Sequence, residues 1–246
     1  MSYTETDLDK IFNEKEEEIK EEDKESLVSP WIVLLSLGIV ILAMALGMIL
    51  TILPYGMQLY GIYGEVIIGL IPLIIVMKKY KINPVQYLRL TITGKFLVLG
   101  VVFGFALFIT GVTLANLLYQ FLGPSKALEE VNKHIIEMIS VDYIGLTLTA
   151  ISMLMAGIFE EVAFRGLLLK AFEKRYNFAV GLIVSSLIFG LFHFDPQYIY
   201  IFVTFIYGII LGLIYHKYDN LTIPIVAHAF LDLFSLFIVY LYILGI

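Results

Sequence analysis

The sequence predicts an all-α, polytopic transmembrane helix bundle of about seven spans, on three observations. Of 246 residues, 60% are hydrophobic and only 15% charged, where an ordinary soluble domain carries about 25% charged residues; mean hydropathy is +0.91. Apolar runs recur along the chain, most of them longer than the twenty or so residues a helix needs to cross a hydrocarbon core. Ionisable side chains inside these runs are few. A charge near the bilayer centre costs roughly 2.5–3.5 kcal/mol on insertion scales, so each one kept there is expected to be paired or functional.

In chain order, residues 1–29 hold eleven acids against four lysines, a net −7, while the remainder holds eleven acids against twelve bases. This segment lacks the apolar core of a signal peptide. It reads as an acidic, disordered cytosolic tail or a frayed helix over Asn13–Glu25, with docking to a basic partner as the lesser reading. Residues 30–246 read as one helical domain, with apolar runs at Trp31–Leu53, Tyr60–Met77, Phe96–Leu122, Tyr143–Phe172, Phe178–His193, Tyr198–Tyr215 and Ile223–Ile246. Gly123–Asp142 reads as a polar loop with an amphipathic turn, because Leu128, Val131, Ile135, Ile136 and Ile139 recur at helical spacing. Lys78, Lys79, Lys81, Arg89 and Lys95 follow the second run, Lys170, Lys174 and Arg175 the fourth, and Lys217 the sixth; the alternate loops offer only Lys126 and Lys133. The positive-inside rule then puts the N-terminus of an integral cell-membrane protein in the cytosol and the C-terminus outside. The absence of cysteine excludes disulfides, thiolate nucleophiles and Cys-ligated metals.

The fourth run contains Glu160-Glu161-Val162-Ala163-Phe164-Arg165. Four residues apart on a helix, Glu161 and Arg165 share a face and pair, leaving Glu160 about 100° round the axis. Glu160 lies fourteen residues before Lys174 and His193 sixteen after Asn177. At 1.5 Å rise both are roughly 21–24 Å from the intervening turn, so an antiparallel hairpin brings them to one depth. His228 lies nine residues after Asp219, only about 13 Å along its helix and therefore shallower, with Asp232 one turn deeper on the same face. Pro196, after Phe194 and Asp195, ends the fifth helix early, and a break at membrane depth requires protein or a wet cavity around it. A carboxylate and imidazoles at one depth suit activation of water and stabilisation of an oxyanion.

These residues resemble the CPBP intramembrane proteases, which include the CAAX prenyl endopeptidase of the Ras-converting type and the Abi bacteriocin-immunity proteins. The three signatures of that family occur in order: EExxxR at Glu160–Arg165, FxxxH at Phe189–His193, and HxxxN/D at His228–Asp232. The resemblance covers roughly residues 143–240. It implies a metal-independent glutamate endopeptidase in which Glu160 and His193 activate water, His228 and Asp232 stabilise the oxyanion, and Glu161 and Arg165 support them. The implied partner is a membrane-anchored CAAX-type peptide, typically prenylated and presented from the cytosolic leaflet. Asp232 departs from the asparagine of CAAX-processing members: an ionised Asp donates no hydrogen bond, so it must be protonated or must instead orient His228.

Blander readings accompany each residue. Glu161 and Arg165 can be a purely structural pair, His193 and His228 satisfied core histidines, and Phe189 is expected to pack rather than react. Two imidazoles and a carboxylate can also hold zinc, but HExxH is missing, so no cofactor is expected. The rival functions are a non-catalytic immunity or scaffold protein and a proton or ion carrier. No nucleic-acid partner is expected.

Overall fold

The computed structural model describes residues 24–123, 133, 136, 142–193 and 198–246. The amphipathic turn expected within Gly123–Asp142, the Phe194-Asp195-Pro196 break and all of the acidic tail before residue 24 lie outside the described residues. Among the described residues, seven long helices carry the fold: α1 Pro30–Gly47, extended by a 3₁₀ turn at Met48–Ile52, α2 Gly56–Tyr80, α3 Gly94–Leu122, α4 Tyr143–Glu161, α5 Phe178–Phe192, α6 Ile199–Tyr218 and α7 Thr222–Ile243. Among the described residues, six spans are long and apolar enough to cross a membrane, and the fifteen-residue α5 is a shorter apolar helix. The chain is an integral membrane protein, and all-α among the described residues.

Helix starts follow capping chemistry. Thr93, Asp142 and Asn177 accept hydrogen bonds from the backbone N–H groups of Phe96, Gly145 and Val180, opening α3, α4 and α5. The amide of Gly145 and the hydroxyl of Tyr55 hold the Asp142 carboxyl below its ordinary range.

Helix α4 does not end at Glu161. It widens into a π-helical segment, Val162–Leu169, and returns to α-helix over Lys170–Arg175. All eight π residues are buried. Sequence reading took this stretch as plain α-helix, and the difference is physical: π turns are rare, cluster at functional sites, and no composition signal announces them.

Helix α4 is central. It packs against α2 on one side and α7 on the other, α7 packs against α3, and α5 pairs with α6. Two glycines set the closest approaches. A Cβ on Gly157 would lie 2.6 Å from the backbone nitrogen of Ala229 on α7, and one on Gly69 of α2 would lie 2.7 Å from the carbonyl oxygen of Phe159. Small residues at such crossings let membrane helices reach backbone contact. Outward faces carry exposed apolar residues such as Leu42, Leu46 and Val98, as expected for surfaces against lipid tails.

Lys78, Lys79, Arg89, Lys174 and Lys217 share one end of the bundle, hereafter the basic end, where the connections α2–α3, α4–α5 and α6–α7 lie. A buried polar cluster closes it. Lys170 Nζ is 3.1 Å from Glu25 and donates to the carbonyl of Tyr87 at 2.6 Å, while standing 4.0 Å over the Tyr87 ring. Burial pushes the Tyr87 hydroxyl above its ordinary range. Glu25 is thus buried, although it belongs to the segment read from sequence as a solvated tail.

Candidate active site

Three helices converge on one carboxylate oxygen. Oε2 of Glu160 on α4 is 3.9 Å from Nε2 of His193, at the end of α5, and 3.7 Å from Nε2 of His228 on α7. The depth mismatch of His228 disappears for a visible reason. The α6–α7 turn is sunk into the protein, with Asn220 and Leu221 buried beneath the 83–93 connection. There Leu221 N donates to Arg89 O, and Asn220 Nδ2 to Thr91 O. The α4–α5 turn, Lys174–Asn177, is by contrast exposed. A recessed turn and a protruding one bring unequal helix lengths to the same level.

Each imidazole has its other nitrogen committed. Nδ1 of His193 donates to the carbonyl of Phe189 at 2.9 Å. Nδ1 of His228 donates to Oε1 of Glu161 at 2.9 Å, and the same oxygen accepts from Arg165 Nη1 at 2.6 Å. Both rings therefore turn Nε2 toward Glu160, an arrangement set by the second hydrogen bond in each case. Glu161, paired with Arg165 as the spacing predicts, also orients His228. Asp232, the other candidate for that task, lies elsewhere: its Oδ2 is 3.5 Å from His228 Nε2, on the Glu160 side.

Phe189 packs, as expected. It is 1% exposed, lies 4.3 Å below the Arg165 guanidinium, and turns ring contacts on His193, His228 and Phe164. The buried charge of Arg165 thereby gains a cation–π partner besides its carboxylate.

Glu160, His193, His228 and Asp232 all line a cavity of about 440 Å³. The Glu160 and His228 side chains are 7% and 6% exposed, His193 32%, so the cavity reaches His193 first. Spacings of 3.7–3.9 Å, just beyond direct hydrogen bonding, suit a bridging water. Among the described residues, no group of three or more His, Asp or Glu side chains has the arrangement of a metal site.

One site residue was missed. Glu65, on α2, lines the same cavity as Glu160. An acid between Gly64 and Val66 in an apolar run is a signal the cost of intramembrane charge could have found. Tyr207 and Ser152 also line the cavity, but no spacing marks them.

A buried acid and two imidazoles from separate helices of a membrane bundle thus meet at one cavity with a largely apolar wall. Residues 143–234 match the family model of the Rce1-like type II CAAX prenyl endopeptidases. That segment bears all three signatures and so is similar to the CPBP group of CAAX-type proteases. No curated protein and no solved structure gives a significant match to the chain.

Proposed function

We propose that the protein is an intramembrane endopeptidase hydrolysing a peptide bond of a membrane-anchored substrate with water activated by Glu160 and His193. The observation that carries this reading is the facing of one buried Glu160 oxygen by two imidazole Nε2 atoms. The family match lends the reaction class.

Water held between Glu160 Oε2 and His193 Nε2 loses a proton to the carboxylate as it attacks the scissile carbonyl. The proton then passes to the leaving amine, so Glu160 is returned ionised. His228 presents Nε2 where the carbonyl oxygen gains charge. Since its Nδ1–H is given to Glu161, donation from Nε2 requires the doubly protonated ring. Glu161 and Arg165 act as positioning residues through His228, and Phe189 through His193. This mechanism calls on no metal, so exhaustive chelation is expected to leave cleavage intact.

The test compares peptide termini in cells carrying the wild type or Glu160→Gln. Proton transfer by a positioned side chain is worth about 10²–10⁴-fold, so neo-termini present with wild type vanish with the variant at equal protein yield. Identical termini in both cells support the scaffold reading instead. Proton flux in liposomes that Glu160→Gln removes supports the carrier.

A further inference from the structure

A serine or threonine hydroxyl in a helix can close on the carbonyl one turn back. In the cavity wall Thr204 does so, donating to Tyr200 O at 2.6 Å, and Ser235 donates to Leu231 O at 2.7 Å. Ser152 of α4 and Tyr207 of α6 line the same cavity, and among the described residues neither hydroxyl has a hydrogen-bond partner. Neither oxygen is sealed in packing, so both open on the cavity. A tyrosine hydroxyl in a buried setting ordinarily finds a partner. These two donors are free for an acceptor that enters the cavity.

The two hydroxyls stand at one level, well removed from the reacting groups. Ser152 precedes Glu160 by eight residues on α4, which is about 12 Å along the axis. Its hydroxyl lies against α2, where a Cβ on Gly61 would stand 2.8 Å from it. Tyr207 reaches across to α3, where a Cβ on Gly111 would overlap its hydroxyl. Gly104 of α3 packs beside His228, since its Cβ would lie 2.6 Å from the Ala227 carbonyl oxygen. Gly111 follows Gly104 by seven residues, about 10 Å further along α3. Helix α4 runs toward the basic end and α3 away from it, so both displacements point the same way. The wall between is apolar, with Phe108, Met153 and Leu231.

An extended peptide advances about 3.3 Å per residue, so 10–12 Å corresponds to about three to four residues. We propose that Ser152 and Tyr207 form a remote subsite that donates hydrogen bonds to main-chain carbonyl oxygens of the substrate, about three to four residues from the scissile bond. Peptide length on one side of that bond then becomes a determinant of specificity. Glu65 and Asp232 share this wall, and carboxyl groups there favour a neutral carbonyl over an anion. The proposal rests on the endopeptidase reading for the position of the scissile bond.

Ser152→Ala and Tyr207→Phe each delete one oxygen. The probes are a nested set of alkyl-anchored peptides, lengthened by one residue at a time on either side of a fixed central sequence. Affinity is measured by fluorescence anisotropy on full-length Glu160→Gln in nanodiscs, with and without the two substitutions. The same peptides give kcat/KM for wild type and for the Ser152→Ala, Tyr207→Phe double variant, and mass spectrometry locates the cut bond. Affinity and kcat/KM are expected to step up once the chain reaches about three to four residues past that bond on one side. The double variant is expected to lose the step, about 2–10-fold for each hydroxyl, at an unchanged melting temperature and with short peptides unaffected. A step that survives the double variant, or peptides whose length makes no difference, overturns the subsite. Wild type that cuts with no step sinks the subsite and leaves the endopeptidase reading standing. A step in affinity that the double variant abolishes, with no peptide cut by wild type, does the reverse.

Discussion

At the scale of single residues, chemistry depends on which atom of each ring is free. Glu161 fixes His228, Phe189 O fixes His193, and both leave Nε2 for Glu160. Glu65 adds a second carboxyl to the cavity that Glu160 lines. A protonated carboxyl beside an ionised one can donate to it, since an ionised carboxylate only accepts. Glu65→Leu removes that carboxyl from the cavity wall, and cleavage is expected to fall by about 10–100-fold, on the scale of the ~1.5–3 kcal/mol of a hydrogen bond to a charged group. Glu65→Gln keeps a donor and is expected to recover most of the loss while changing the pH–rate profile. Steady-state kinetics of both variants checks this. Much of the cluster was legible because its ionisable residues stand out against apolar sequence. Glu65 was not read because it stands alone, without a partner at helical spacing to give it a pattern.

At the scale of elements, the spans were legible from length and hydropathy, and their ends moved by only a few residues: α2 and α6 each extend three residues further toward the basic end than the apolar runs do. Polar residues in those last turns, Lys78, Lys79, His216 and Lys217, hid the extension. The π segment and the recessed α6–α7 turn were invisible, since both are set by tertiary packing rather than local composition. Helix contact is where the site is tuned. Gly157→Val sets a side chain against the Ala229 backbone and pushes α4 off α7, a strain of about 1–3 kcal/mol. Cleavage is expected to fall well beyond what the lowered melting temperature explains, because the Glu160–His228 gap opens. Gly38→Ala on α1, where nothing lies within 4 Å of the new carbon, is expected to leave both unchanged.

At the scale of the molecule, a bilayer-spanning bundle holds five ionisable groups around one cavity and closes the basic end with another buried set. Lys170 ties α4 to Glu25 before α1 and to Tyr87 between α2 and α3. Lys170→Met leaves the buried Glu25 carboxylate to the more distant Arg89, 3.9 Å away, and costs part of the about 3–5 kcal/mol of a broken buried pair. Thermal unfolding in detergent is expected to show that loss, with per-molecule cleavage by the folded fraction retained, since Lys170 lies outside the cavity lining. The account as a whole turns on Glu160 as the base that activates water. Purified wild type and Glu160→Gln, reconstituted in vesicles with a membrane-anchored peptide after exhaustive chelation, decide it by mass spectrometry of the products. Wild type is expected to cut the peptide at a single bond, and the variant to cut at least ~100-fold more slowly at the same melting temperature; equal rates for the two would contradict the account.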